Sequence, residues 1–495
     1  MEFEDIKNKN SDLTSNLAEN VGKNLDYYFG TKIDSVYRSG KDIYFEIRHE
    51  DLFDILDALK NKADFDFNIL SSIKYKEAGN FLLISLFSFQ KAMSVDIRVR
   101  STNSFLGFDI KSVTTSIRKL FDNAGYFSDR EYLKDVINDA VVFSQLPETL
   151  DTFDIYLSLD DNIIKEAYLC DELCHYNTRI IFDGKEINKL ISMLNNLDYK
   201  AGIFPELCFC LGIESLLQIK PPKRATYIRM LLCELFRIAC HLSYIADMSL
   251  VLGSTAAFNY ALADKEKILS VIEHITGSRI IPNFIRIGGV KKDVDENVLE
   301  GLHKLVPQSY RSIRKIEEIF SSDAVILEKL KNSGVVSGQA AKHSGATGPN
   351  LRASGVRYDL RKTSKFLLYK DIAFTIPLGR EGDNFDRVLV RFKEIYQSLK
   401  IISEIVGSMP LGATGKMINP LSLELYSARI ISTVECPHGI FKMHINIREN
   451  RTIEIIPVSS IKNNIILCEK TLRHCSFDEL LPVVSSFGIE SPEMY

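Results

Sequence analysis

GIESLLQIKPPKRATYIRMLLCELFRIACHLSYIADMSLVLGSTAAFNYALADKEKI, residues 212–268, is the stretch on which the reading of the whole chain turns. Within it Ile228, Leu231, Leu235, Ile238, Leu242, Ile245 and Ser249 recur at steps of three and four. That is the period of one helix face, and it predicts a long helix over 224–250. The charged and polar residues between these positions keep every apolar run far below the ~18 needed to cross a bilayer.

Downstream, further helices are expected at 256–275, 295–333 and 384–409. The last has Asp383 or Asn384 as its N-cap and Pro410 as its stop. The glycine-rich segment GVVSGQAAKHSGATGPNLRASG at 334–355 reads as a loop. From 428 onward strands return, with Phe441, Met443, Ile445 and Ile447 alternating. Upstream lies a β-rich stretch at 153–182.

The N-terminal part is a separate α+β region over 21–145, preceded by a polar, frayed segment 1–20. In it Ile43, Phe45 and Ile47 alternate, and 51–60 reads as a helix with Leu52, Ile55, Leu56 and Leu59 on one face. FLLISLFSF at 81–89 and SVDIRVR at 94–100 pair as a hairpin. QLPET closes this region near 145, and 146–495 forms the second, largely helical domain with β-rich ends.

The 495 residues, 45% hydrophobic and 25% charged, allow roughly two to four domains. A net charge of -4 offers no basic field for nucleic acid or an anionic membrane. The opening MEFEDIKNKN lacks the basic-then-apolar order of a secretory signal, so a cytosolic location is expected. The nine cysteines then read as thiols, most of them small buried hydrophobes.

Several chemistries lack their residues. No GxGxxG follows a strand, and no GxSxG elbow is present. GATGKM at 412–417 lacks the first glycine of a phosphate loop and puts Met417 where a magnesium-holding Ser or Thr belongs; a helix-terminating turn fits better. Cys170/Cys174, Cys208/Cys210 and Cys468/Cys475 are not CxxC pairs, and His175, His438 and His444 have no ligand set around them in sequence. Glu317/Glu318 and Asp160/Asp161 fall in solvated patterns. From the residues alone the chain is a large α+β protein of open function.

The segment 212–268, with TGSRIIPNFIRIGGV at 276–290 and GPNLRASGVRYDLRKTSKFLLYKDIAFTIPLGREGDNFDRVLVRFKEIYQSLKII at 348–402, resembles the 49-kDa subunit of respiratory complex I. Residues 20–145 resemble, more weakly, the 30-kDa subunit, through FDILDALKNKADFDFNILSSI, the hairpin, and Phe127 followed by Asp129, Arg130 and Glu131. The resemblance implies a fused 30-kDa/49-kDa (C/D) subunit of NADH:quinone oxidoreductase. It also implies, for 146–495, the fold of a nickel–iron hydrogenase large subunit without the metal. The two CxxC pairs of hydrogenases are missing from LNNLDYKAG and VVSSFGIESPEMY, so no nickel site is expected.

In that family this protein clasps the partner carrying the terminal iron–sulfur cluster, and the quinone head enters between them. NADH, FMN and the clusters belong to partner subunits, and this chain binds no cofactor. The assembly, a proton-translocating enzyme, sits on the cytoplasmic side of the bacterial inner membrane, with membrane contact through other subunits. One quinone ligand is the tyrosine of an LDY motif, here Leu197-Asp198-Tyr199, whose phenol can hydrogen-bond a quinone carbonyl and give it a proton.

The resemblance also implies losses. Counting back from Tyr199 without gaps, Leu146 and Leu150 fall where the family has two loop histidines. Val251 falls at the aspartate that pairs with the second histidine, Asn196 at an arginine, and Ile281 at a histidine near the cluster. The family's His-Arg-Gly turn reads His175-Tyr176-Asn177. Each loss removes a charged or titratable group, so a lower cluster potential or an altered quinone site is expected. The alternative expectation is a structural or assembly protein whose quinone site has gone.

Overall fold

The computed structural model describes residues 21–100, 141–143, 155–169, 180–183, 187–416, 428–448 and 452–489, less 22, 26, 31, 40–41, 63, 66, 68, 77–80, 89–92 and 365–366. Leu146, Leu150, Cys170, Cys174, His175 to Asn177, Met417, segment 1–20 and the Phe127–Glu131 match lie outside the described residues. The chain forms two compact units. The first takes the described part of Met1–Tyr132 with Lys342–Gly345 and Arg429–Ile431, and the second takes the remainder.

The first unit is built on a five-stranded sheet: β1 (Ile33–Ser39), β2 (Asp42–Arg48), β3 (Ile69–Lys76), β4 (Phe81–Ser88) and β5 (Met93–Arg100). Its order is β1-β2-β5-β4-β3. β4 and β5 are antiparallel with Ile84 opposite Ile97, the pairing expected of the hairpin. β2 runs parallel to β5, which needs a crossover, and α1 (Leu52–Asn61) lies on that connection. Its face of Leu52, Ile55, Leu56 and Leu59 is buried, as the periodicity predicts.

The second unit opens with the sheet β6 (Val141–Phe143), β7 (Ile155–Asp160), β8 (Ile163–Leu169), followed by strand β9 (Ile180–Asp183). Then come α2 (Ile187–Leu194), α3 (Ile203–Leu216) and α4 (Lys223–Val251). α4 starts after Pro221-Pro222, where proline's missing N–H costs nothing, and ends at Leu252 before Gly253. Nearly every side chain from Ile228 to Ser249 is buried, so α4 is central and not merely amphipathic. α5 (Thr255–Thr276) ends on Gly277 in the left-handed conformation, whose N–H returns to Glu273 O.

Past the two-residue ladder β10 (Ile285–Arg286) and β11 (Gly289–Val290), the expected single helix 295–333 is two: α6 (Glu296–Ser322) and α7 (Ala324–Leu330). Asp323 makes the break. Its backbone is extended, and its carboxylate accepts from Val325 N (2.9 Å) and Ile326 N (3.2 Å), capping a new helix.

The segment 334–355 is not the plain loop its glycines predict. It contains short helices over Gly338–His343 and, as α8, Gly348–Ala353, and α8 is wholly buried. Gly348 has φ +69° and lies so close to Gly439 that a Cβ would sit 2.5 Å from the Gly439 Cα. Glycine is there for backbone approach, not for mobility.

α9 (Asn384–Gly407) is capped by Asp383, which accepts from Asp386 N at 2.8 Å. The C-terminal strands β12 (Ala428–Cys436), β13 (Gly439–Ile447) and β14 (Thr452–Ser459) form a sheet of order β12-β13-β14-β9, so a strand from near residue 180 completes it. α10 (Ile461–Leu472) and α11 (Leu480–Phe487) follow. Among the described residues no helix is long and apolar enough to cross a membrane.

Candidate functional site

Two polar constructions lie inside the second unit. The first is an ion cluster at its core. Glu234, Arg237 and His241 share one face of α4, and none of the three is appreciably exposed. Glu234 accepts from Tyr369 Oη and Ser398 Oγ, both at 2.6 Å, and from Arg361 at 3.2 Å. Arg352, on α8, donates to Glu394 at 2.8 Å and to Glu435 at 2.8 Å. Arg361 grips Asp359 at 2.8 Å, and His241 Nε2 pairs with Glu394 at 2.9 Å.

Electrostatics orders these groups. Burial alone would raise the Glu394 carboxyl, but Arg352 and His241 outweigh it and hold it far below the usual range. Against its burial, Arg237 and Arg361 also hold Glu234 below the usual carboxylate range. Burial pushes His241 down to about 4 despite Glu394, so its ring is neutral at neutral pH. Glu435 is pushed up by burial and by Asp359, with Arg352 opposing. The cluster ties α4, α8, α9 and β12 together. It explains why six residues of a glycine-rich stretch are buried.

The second construction is the turn that carries Tyr199. A 3-10 turn over Asn195–Leu197 continues α2, and Asp198 N then bonds back to Asn195 O. The Asp198 carboxylate accepts from Ala201 N at 2.9 Å, closing an Asx-type turn around the tyrosine. Tyr199 itself is 44% exposed, beside a chain otherwise buried from Leu194 to Asn195 and from Ala201 onward.

Three ties fix the turn. Gly202 packs on Asn195 so closely that a Cβ would lie 2.9 Å from Asn195 O. Lys200 Nζ reaches Asp247 of α4 at 3.8 Å. Asn195 Nδ2 donates to Glu206 Oε1 of α3 at 2.6 Å. The other oxygen of Glu206 accepts from Phe284 N (3.1 Å) and Ile285 N (2.9 Å), so one carboxylate joins the tyrosine turn to the strand that follows Ile281. Burial pushes Glu206 up to about 7, against these three hydrogen bonds. Burial also raises the Cys436 thiol at the end of β12, and the charge of Asp198 adds to it.

Of the other positions singled out in the sequence, Asn196, Val251 and Ile281 are among the described residues. Asn196 is exposed within the 3-10 turn, three residues before Tyr199. Val251 is the last residue of α4, one helical turn beyond Asp247, the carboxylate that holds Lys200. Ile281 is 44% exposed in the loop after α5, with its N–H on Ser278 Oγ at 3.2 Å. Tyr199, Val251 and Ile281 thus sit on segments bound to one another through Lys200–Asp247 and Glu206.

Among the described cysteines, Cys208, Cys210, Cys233, Cys240, Cys436 and Cys468 are buried thiols, as small apolar side chains should be. Cys240 Sγ lies 3.2 Å from His438 Nε2. GATGK at 412–416 makes a bridge: Val290 N bonds to Thr414 O, and Lys416 N to Gly288 O. Those backbone groups are used in the fold, as a turn after a helix requires. Glu206, Asn195, the Lys200–Asp247 pair and the ion cluster were missed by motif reading. The available signal was charge inside apolar helical sequence, at Glu206 in IFPELCFCLG and at Glu234 and Arg237 in CELFRIAC.

Comparison with known proteins gives a consistent result. Residues 251–450 match the family described as respiratory-chain NADH dehydrogenase, 49 Kd subunit. This span begins at Val251, so it takes in Ile281 but not Tyr199. The D subunit of the NADH-quinone oxidoreductase of Rickettsia rickettsii (strain Sheila Smith) is 35% identical over 300 residues, 61% of this chain and 76% of that protein. Its counterpart in Rickettsia prowazekii (strain Madrid E) is 35% identical over 268 residues, 54% of this chain and 69% of that protein. That of Rickettsia felis (strain URRWXCal2) is 33% identical over 300 residues.

Proposed function

The chain belongs to the family of the 49-kDa, or D, subunit of NADH-quinone oxidoreductases, and from that premise we propose that it forms one wall of a quinone site beside the terminal iron–sulfur cluster of a partner subunit. It is a subunit of an oxidoreductase complex, not a catalyst by itself. Quinone is the substrate. NADH, FMN and the clusters are held by other chains, and coupling to proton movement occurs in the whole assembly. The N-terminal unit acts as a fused 30-kDa-type domain, and the assembly lies on the cytoplasmic face of the inner membrane.

The observation that carries this reading is Tyr199: a half-exposed phenol on a turn whose neighbours are tied down. A phenol held that way loses little freedom when it meets a ligand. It donates a hydrogen bond to a quinone carbonyl and strengthens it as negative charge develops on reduction.

The test is Tyr199→Phe in the purified complex, assayed for NADH-dependent quinone reduction and, in parallel, for reduction of a water-soluble acceptor that takes electrons upstream. Quinone turnover is expected to fall by about 10- to 100-fold with the upstream reaction intact. Equal quinone turnover in variant and wild type refutes the assignment. Asn196, Val251 and Ile281 favour a second reading, in which the chain holds the cluster-bearing partner in place and the quinone site is altered. On that reading a redox titration gives a cluster potential below that of relatives with charged residues at these positions.

A further inference from the structure

We propose that Glu206 is a positioning residue for the tyrosine turn: its carboxylate is a proton-operated latch that binds the segment carrying Tyr199 to the segment carrying Ile281. The functional meaning of the latch rests on the quinone reading above, but its mechanics rest on geometry alone.

Glu206 stands in the first turn of α3 with no exposed surface. Among the described residues its two oxygens receive three donors and no cation: Asn195 Nδ2 on Oε1, and the Phe284 and Ile285 N–H groups on Oε2. All three suit a carboxylate and favour its charged form. The groups facing it from the neighbouring elements are few. Arg286 on β10 attracts its charge from a distance. On its own helix lies the Cys210 thiol, held up by burial first and then by Glu214 and Glu206. Glu214 is itself occupied by Arg229 at 2.6 Å. Burial wins over the donors, and the carboxyl titrates at about 7.

Protonation creates a conflict at one named contact. Protonation turns a charged acceptor into a neutral one and weakens the 2.6 Å bond from Asn195 Nδ2, and an O–H directed along that contact meets a donor. To pair with that O–H the Asn195 amide turns over and offers Oδ1, a buried oxygen without a hydrogen-bond partner among the described residues. Turning over gives up the bonds from Nδ2 to Ile191 O and Ser192 O, each 3.3 Å. Asn195 O closes the turn on Asp198 N and packs on Gly202, so displacement of Asn195 reaches Tyr199 through backbone. With Glu206 still buried, losing these donors would raise its carboxyl further, so protonation favours the loosened arrangement and the latch is tight when Glu206 is ionised and loose when it is neutral. Its operating range straddles neutral pH.

The test is hydrogen exchange by mass spectrometry on the purified complex at pH 6 and pH 8, corrected for intrinsic exchange, with peptides covering 195–204 and 283–287. Wild type is expected to exchange about threefold or more faster at pH 6 in both peptides. In Glu206→Gln that dependence disappears, and the KM for quinone loses its change between pH 6 and 8. Glu206→Asp, which keeps an ionisable group, restores part of both. Equal corrected exchange at the two pH values in wild type overturns the proposal, even where Glu206→Gln fails to assemble. So does a pH dependence that survives in Glu206→Gln. If exchange behaves as expected while Tyr199→Phe reduces quinone at the wild-type rate, the latch stands and the quinone assignment of Tyr199 falls.

Discussion

The ion cluster on α4 and the turn around Tyr199 are both made of charged and amide side chains, yet they are held in opposite ways. In the cluster each carboxylate meets an arginine or several donors, and no member is exposed. In the turn one lysine–aspartate contact at 3.8 Å and one carboxylate titrating near neutrality fix a residue that faces solvent. Paired buried charge locks helices in register, whereas a half-satisfied amide and a borderline carboxylate leave a segment able to respond. The cluster is the rigid frame of this unit, and the turn is the part that yields.

The largest effect expected from breaking that contrast is in the cluster. Arg352→Met leaves Glu394 and Glu435 buried without their shared cation, and should cost about 3–5 kcal/mol of stability. Urea titration of the purified chain measures it. A midpoint unchanged from wild type would mean that the cluster is not the frame of the fold.

The next effect is a pair of opposed pH dependences. His241 is held at about 4 against its ordinary 6.5. The unfolded chain therefore takes a proton that the folded one refuses. Stability from this group is complete above pH 6.5 and is lost as pH falls towards 4, by about 3 kcal/mol. Glu206 is raised from 4.5 to about 7, so the folded chain keeps a proton that the unfolded one releases. Its contribution is complete below pH 4.5 and is lost as pH rises through 7, by a similar amount. The two slopes nearly cancel in wild type between pH 4.5 and 6.5. Glu206→Gln removes one of them, so its urea midpoint should climb more steeply with pH over that window than that of wild type. A profile no steeper in the variant than in wild type contradicts the assignment of opposed groups.

The smallest expected effect sharpens the comparison from the other side. Lys200→Ala removes a partly exposed ion pair and should cost about 0.2–1 kcal/mol. Its consequence should appear instead as faster exchange in the peptide containing Tyr199. A loss of several kcal/mol would place Lys200 in the frame and not in the yielding turn.

Much of the frame was legible in the sequence. The periodicity over 224–250 located α4 to within a residue at each end, because a helix buried along its whole length must repeat its apolar face. The alternation at 81–100 located β4 and β5 for the same reason in a sheet. The break at Asp323 was not legible. Apolar residues continue in helical step through Ile326 and Leu330, and only the carboxylate on Val325 N and Ile326 N ends one helix and starts the next. The burial of 348–353 was hidden too. Glycines advertise backbone freedom, and nothing local says that Asn350 will donate to Phe487 O or Arg352 to Glu394 and Glu435.

Sequence alone determined most of the element types and the family, because periodicity and ordered blocks of residues are properties of neighbours along the chain. Tertiary structure decided which charges are paired and which polar group can change its mind. In sequence Glu206 is a single acid within the apolar run IFPELCFCLG. It becomes a latch only because folding removes water from it and brings Phe284 and Ile285, nearly eighty residues on, to its second oxygen. Desolvation and hydrogen bonding between distant segments set that balance, and neither is written in any local stretch.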